Sequence, residues 1–440
     1  MNKIFSQNRD NITKEEAIIN ALKKGVWVYF LLLIFEGALR KWFLPFLSAP
    51  LLIVRDPVAI WLIYITWKHN IIRANSYVVF MTFFTILAIS TALIFGHGSL
   101  SVAFFGARIL ILHFPVMFII REVFNQNDVI KMGKTLLIIA IPMTILIALQ
   151  FYSPQSAWVN RGIGGDVEGA GFSGAMGYFR PPGTFSFTTG NVMFFSFVAC
   201  FLFYFWIVKV KINRFVLIAA TIGLLASVPL SISRTLLFSI GLTFIFTLIS
   251  VASKPKFFFR MLVFILLGVL VLATLSKMPF FQTSTEAFTN RFEVASEVEG
   301  GVSTSLIDRF FGGMIDAVDN SNDLPFFGYG IGMGTNVGAT LLTGKQTFLI
   351  AEGEWLRLVG EMGFVIGILV LLIRVIFCAD IFMKSYKNIK SGNILPWLLL
   401  SFGLLIIIQG QWAQPTVLGF STLLGGLILA SMSKENKSVN

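Results

Sequence analysis

Three arginines of this chain stand in contexts suited to holding phosphate. Arg180 opens the run RPPGTFSFTTGN at 180–191. Its two prolines stiffen the backbone, and Gly183 allows a close approach to a ligand. Arg234 sits in SISRTLL among Ser231, Ser233 and Thr235, where an apolar helix begins. A phosphate there would meet a guanidinium, hydroxyls and the unsatisfied N–H groups of a helix N-terminus. Arg309 falls on the polar face of an amphipathic pattern at 305–318. A guanidinium grips phosphate through a two-pronged fork that lysine lacks. Each arginine also has a plainer reading. Arg180 would anchor a helix end at a membrane interface, Arg234 would snorkel to lipid headgroups, and Arg309 would make a surface pair with Asp308 or Asp316.

Two carboxylates could complement them as a general base. Glu352 and Glu354 lie in AEGEWLRLVGEMG, with Glu361 further along. Either could deprotonate a hydroxyl group if burial raised its basicity. The alternative is acidic charge complementing a helix N-terminus. Further charges fall inside apolar segments: Glu36, the pair Arg55–Asp56, Arg108 and Asp380. Such charges face the interior of a helix bundle and pair with one another. Arg55–Asp56 reads as a structural pair, and Arg108 as a lining residue of a substrate cavity. His69, His97 and His113 are scattered, and no HExxH, DxD or Cys/His cluster occurs, so neither metal ligands nor a cofactor are expected. The glycine-rich GYGIGMG at 328–334 lacks the following Lys and the preceding strand of a nucleotide loop.

The elements that must position these groups are apolar. The 440 residues are 56% hydrophobic and 13% charged, with mean hydropathy +0.82, a balance that excludes a soluble domain and predicts an all-α, polytopic membrane protein. About twelve spans are expected, at 26–39, 51–67, 77–95, 102–120, 132–151, 188–208, 215–232, 235–251, 258–275, 355–377, 394–409 and 417–432. Alternating the connecting loops between two sides puts 16 Lys and 5 Arg on one side against 3 Lys and 7 Arg on the other. The Lys-rich side is cytoplasmic by the positive-inside rule, and both termini fall there. The opposite face is poor in Lys yet supplied with Arg. That points to an outward site for an anionic, pyrophosphate-bearing substrate. The net charge of +12 lies mostly in short cytoplasmic loops and does not indicate nucleic-acid binding. Cys200 and Cys378 fall in apolar spans, so no disulfide framework is indicated. The polar N-terminal stretch lacks a cleavable signal pattern, and the first span is expected to serve as signal and anchor.

Two outward segments exceed the length of simple connectors. The first, 152–187, is glycine-rich, and the second runs from 277 to 354. The chain thus divides into an N-terminal bundle of about nine helices (1–276), a large outer loop (277–354) and three C-terminal helices (355–440). Within the outer loop, Ser305 and Asp308 form a capping box. Ile307, Phe310, Phe311, Met314, Ile315 and Val318 make one apolar stripe, so the helix is expected to lie along the membrane surface or to lid the bundle.

Together these pieces resemble the O-antigen ligase/polymerase superfamily of bacterial glycan assembly. Four stretches carry the resemblance: RPPGTF…GN (180–191), SRT (233–235), SLIDRFFGGMIDAV…LPFFGYGIGMG (305–334) and EGEWLRLVGEMGFVIG (352–367). Their order, spacing and placement on one face match the family's Arg-x-x-Gly-Thr-Phe motif, its Ser-Arg motif, its Arg-bearing helix with a glycine turn, and the helix beneath its large outer loop. The resemblance implies a GT-C-like helical fold and a metal-independent glycosyltransferase in the bacterial inner membrane. The implied substrate is a glycan on undecaprenyl pyrophosphate, with Arg180, Arg234, Arg309 and Arg108 holding the pyrophosphate leaving group. Implied partners are membrane lipid, chain-length regulators and flippases. The family's ligases place a His where this chain has Glu352–Gly353. That departure favours a repeat-unit polymerase, with Glu352 or Glu354 activating the acceptor sugar, over a ligase. A transporter or flippase for an anionic or lipid-linked solute is the expectation from another class. The lack of an internal repeat and the clustering of polar signals on one face weigh against it.

Overall fold

The computed structural model describes residues 2–252, 268, 270, 273–274, 277–298, 312–319, 324–345, 349–351 and 353–433. Among these the chain is helical apart from loops and one isolated bridge, Ser173 to Phe179. The helices in chain order are α1 (Asn2–Ala38), α2 (Asp56–Lys68), α3 (Ser76–Ile94), α4 (Leu100–Arg108), α5 (Phe114–Val123), α6 (Gln126–Tyr152), α7 (Thr188–Ile207), α8 (Arg214–Leu230) and α9 (Arg234–Val251). There follow α10 (Pro279–Val298), α11 (Gly313–Asp319), α12 (Asn336–Thr343), α13 (Glu354–Lys390), α14 (Leu395–Ile408) and α15 (Pro415–Ser431). Eight helical segments are long and apolar enough to cross a membrane, and α8, α14 and α15 are shorter apolar helices. Every expected span coincides with one of these except 258–275, which lies outside the described residues save for isolated positions.

The centre of the bundle is α7 and α15, whose side chains are buried nearly all round. A helix apolar on every face belongs in the middle of a bundle. α15 packs on α5 and α14, while α7 packs on α9 and α14. Phe114, Phe118, Phe377 and Trp412 form an aromatic cluster where α5, α13 and the loop after α14 meet. Across α7, α9 and α14, Ser401 donates to Thr243 at 2.9 Å, a small polar contact of the kind that joins apolar helices.

Two short π-helical stretches interrupt the bundle, Leu39–Phe43 after α1 and Ile109–His113 between α4 and α5. Such widened turns commonly occur at functional sites. Here each carries basic side chains into the interior: Arg40 and Lys41 in the first, His113 in the second.

The expected span at 355–377 is not one straight element. Gly363 has φ +76° and ψ 166°, and an added Cβ would stand 2.0 Å from the Phe326 carbonyl oxygen. The chain reverses there. A Cβ on Gly367 would touch the Cα of Val359 at 2.8 Å, although eight residues of straight helix span about 12 Å. The piece 354–362 therefore folds back along the remainder of α13. Phe364 to Lys390, about 40 Å long at 1.5 Å per residue, is the membrane-length part. The reversal frees two carbonyls. Gly360 O accepts from Tyr329 N at 2.8 Å, and Glu361 O accepts from Gly330 N at 2.9 Å. The glycine-rich 328–334 run thus docks on the broken helix.

Candidate anion site at the loop end of the bundle

Arg180 ends a tight hairpin. Its N–H donates to Phe172 O at 2.8 Å, Gly174 N donates to Tyr178 O at 2.9 Å, and Tyr178 N donates to Ala175 O at 2.9 Å. Residues 181–186, which follow, are buried in the bundle end. Gly183, at φ +61°, donates its N–H to Gln150 Oε1 at 2.8 Å, and its carbonyl accepts from Lys41 Nζ at 2.6 Å. Lys41 Nζ also reaches Phe185 O at 2.9 Å. The Thr184 hydroxyl donates to Ile34 O at 2.6 Å, Arg40 Nη1 to Ser186 Oγ at 3.0 Å, and Asn191 Nδ2 to Pro181 O at 3.2 Å. The RPPGTFSF run is therefore a fixed platform with the half-buried Arg180 at its edge, which is how a binding group is held to a narrow geometry.

Arg234 is half-buried at the first position of α9. The hydroxyls expected to join it are otherwise engaged. Ser233 caps the helix by accepting from Leu236 N at 3.4 Å, and Ser231 Oγ donates to Val228 O at 3.1 Å. Both serines are buried. Between them, Ile232 adopts φ +46°, a backbone conformation costly for a β-branched residue.

The structure brings these two arginines to one neighbourhood. A Cβ on Gly174 would lie 2.7 Å from Ile232 Cδ1 and 3.4 Å from Arg180 Cγ. At Gly174 the Arg180 hairpin thus rests on the turn that carries Arg234. Arg291 of α10 arrives at the same place, donating from Nη1 to Gly174 O at 2.8 Å. Its neighbour Phe292 packs edge-on against Phe238, one turn into α9 from Arg234, with ring centroids 5.9 Å apart. Nothing in the residue types around Arg291 singled it out. The available signal was its placement on the Arg-supplied side, within the i, i+4 apolar pair Phe288 and Phe292.

Two expected site residues are placed differently. Arg108 does not stand open to a cavity: its Nη1 reaches both oxygens of Asp56 at 2.8 Å. Asp56 also bonds His113 Nε2 at 2.9 Å, whose Nδ1 lies 2.9 Å from the Tyr29 hydroxyl. Arg55 pairs not with adjacent Asp56 but with Glu36 at 3.5 Å, and it donates to Pro415 O. Neighbours in sequence at a helix start point in different directions, so the expected pair is two separate ones.

Glu354 does not face a cavity either. Its Oε1 accepts from Arg374 Nη1 at 2.5 Å and Arg357 Nη2 at 3.1 Å, and its Oε2 accepts from Arg357 Nε at 2.9 Å. Glu361 Oε2 takes Arg357 Nη1 at 2.7 Å, and its Oε1 takes Gly334 N at 2.8 Å. Arg374 completes its bonds on Ile407 O and Gly410 O and stacks 3.9 Å over Trp412. All four charged side chains are sealed, at 0–2% exposure. Both oxygens of Glu354 are occupied by guanidinium donors and are closed to solvent, so neither is placed to take a proton from a substrate hydroxyl. The spacing of Glu354, Arg357 and Glu361 on one helix face hinted at this cluster, whereas Arg374 joins only because the chain reverses at Gly363. Asp380, expected to be buried, is 32% exposed and pairs with Lys384 at 2.6 Å.

Arg309 and Glu352 lie outside the described residues, as does most of the expected 305–318 helix. Its described end, Gly313–Asp319, packs near the start of α13. Among the described residues no group of three His, Cys, Asp or Glu side chains could hold a metal ion. No protein-family model matches the chain, and no curated protein matches it.

Proposed function

We propose that this chain is a metal-independent glycosyltransferase of the repeat-unit polymerase type. It would join oligosaccharide units carried on undecaprenyl pyrophosphate at the outer face of a bacterial inner membrane, through a bundle of about twelve spans with both termini inside. The observation that carries the reading is the meeting of the Arg180 hairpin with the Arg234 turn at one end of an apolar bundle. Both arginines are half-buried on rigid supports, next to the two long loops. Pyrophosphate is already a good leaving group, so the protein must chiefly orient two glycans and neutralise phosphate charge as the glycosidic bond breaks. Arginines held by a fixed platform do both.

The acceptor hydroxyl needs a base. Glu354 is tied to Arg357 and Arg374, which leaves Glu352 as the carboxylate we assign to that role. Arg309 is the third phosphate ligand in this reading, while Arg108, held by Asp56, supports the bundle.

A transporter reading draws on one observation, the folded-back 354–362 segment with buried charges beside it, since transporters place broken helices and charges at their sites. The pairing of each of those four charges with an opposite one suits a scaffold better than a solute site. Purified full-length protein in liposomes with lipid-linked oligosaccharide separates the readings. Longer lipid-linked chains support the polymerase, and transfer to an added foreign acceptor instead supports a ligase. Movement of the substrate across the bilayer with no new glycosidic bond would overturn both.

A further inference from the structure

The polymerase reading assigns no task to α10, yet Arg291 of this helix binds the Gly174 carbonyl of the Arg180 hairpin. We infer that Arg291 is a positioning residue for the anion site, a latch that sets Arg180 by holding the Gly174 carbonyl; the inference rests on the reading of that site as a pyrophosphate site. Gly174 is the point where three pieces of chain meet. Its carbonyl takes Arg291 Nη1 at 2.8 Å, its N–H bonds Tyr178 O inside the hairpin, and its α-carbon faces Ile232 and Arg180 Cγ. The hairpin is short and is closed by its own backbone bonds, among them Arg180 N–H to Phe172 O, while Tyr178 stacks on Phe151 with ring centroids 4.9 Å apart. A charge-assisted bond to Gly174, at the base of the hairpin's turn, therefore limits how far that strand, and the Arg180 stem lying against it, can move.

The helix behind Arg291 is itself anchored. Ser284 and Ala287 are fully buried, α10 packs on α8, and Phe292 meets Phe238 on α9. Arg291 thus transmits the position of the second long loop to the arginine of the first. Its role is to hold a carbonyl, which needs one donor and not a fork. That separates it from a phosphate ligand: Lys should replace Arg at 291 but not at 180.

The test uses full-length protein in nanodiscs, comparing wild type with Arg291→Gln, Arg291→Lys and Gly174→Ala. Two measurements are made: amide hydrogen exchange over 172–180 without substrate, and binding of geranyl pyrophosphate as the diphosphate probe. In Arg291→Gln, exchange at Gly174, Tyr178 and Arg180 should rise at least tenfold and probe affinity should fall about tenfold. Arg291→Lys should stay within about threefold of wild type in both. Gly174→Ala, whose Cβ would stand 2.5 Å from Tyr178 O, should open the same hairpin without removing a charge and should mimic Arg291→Gln. Unchanged hairpin exchange in Arg291→Gln overturns the latch. A Lys variant that loses the probe as fully as Gln overturns the positioning role and makes Arg291 a direct ligand. Wild-type protein that binds no probe, with the exchange pattern as expected, overturns the pyrophosphate reading and leaves the latch standing as a structural fact.

Discussion

Two groups of arginines occupy the same end of this molecule and do opposite things. Arg357 and Arg374 are sealed with Glu354 and Glu361 in a cluster of balanced charge, all at 0–2% exposure. Arg180, Arg234 and Arg291 are half-buried around one hairpin, where Arg291 reaches a backbone carbonyl. The first group holds a reversed helix in place. In the second, Arg180 stands on a platform fixed by Lys41, Gln150 and Asn191, Arg234 opens α9, and Arg291 comes from α10. Residue type does not separate the groups; depth and partner do. The sealed guanidiniums are closed off with their carboxylates, whereas those around the hairpin keep part of their surface exposed.

The sharpest break of this contrast concerns the base. Glu352→Gln should lower polymer formation by about 10²–10⁴-fold while lipid-linked substrate still binds, as general-base loss does. A normal product ladder from that variant would remove the carboxylate from the chemistry and leave positioning alone.

The sealed group should fail differently. Glu354→Gln leaves Arg357 with Glu361 and takes from Arg374 the carboxylate it pairs with, and removing one member of a buried pair costs about 3–5 kcal/mol. A large drop in thermal stability of the detergent-solubilised protein, with activity lost only through unfolding, is the expected result. If Glu354→Gln melted like wild type yet had no activity, the cluster would be catalytic and the contrast would collapse.

Among the half-buried arginines, Arg180→Lys and Arg234→Lys should each lower glycan transfer more than about tenfold with unchanged melting, because Lys has no fork. Arg309→Lys should behave as they do. Near-normal ladders from all three would sink the pyrophosphate clamp. The smallest effect is expected from EDTA, which should leave turnover of the purified protein unchanged. Inhibition reversed by a divalent cation would place a metal where arginines are here thought to suffice.

Hydrophobic pattern made most of the fold legible. Segments such as 188–208 and 235–251 reappear almost residue for residue as α7 and α9, because a continuous apolar run of that length has few other stable states. The break at Gly363 was not legible. Its flanks, VGEMGFVIG, read as uninterrupted helix, and only the docking of 325–335 explains why the chain turns there. For the same reason Glu354 read as the entrance of a span when it sits against Arg374, twenty residues further along.

Arg180 and Arg234 stood out by their flanking Gly, Pro and Ser. Arg291 did not, since a carbonyl latch requires no flanking motif. What the sequence determined by itself is the helical class, the apolar segments and the uneven supply of Arg and Lys to their ends, all set by local composition and helical period. What only the tertiary structure decided is which charges cancel: Arg55 with Glu36, Arg108 with Asp56, Arg374 with Glu354. Those pairings join residues 19 to 52 positions apart. They follow from how the helices pack, and in a low-dielectric interior that packing settles whether an arginine is scaffold or available to a ligand.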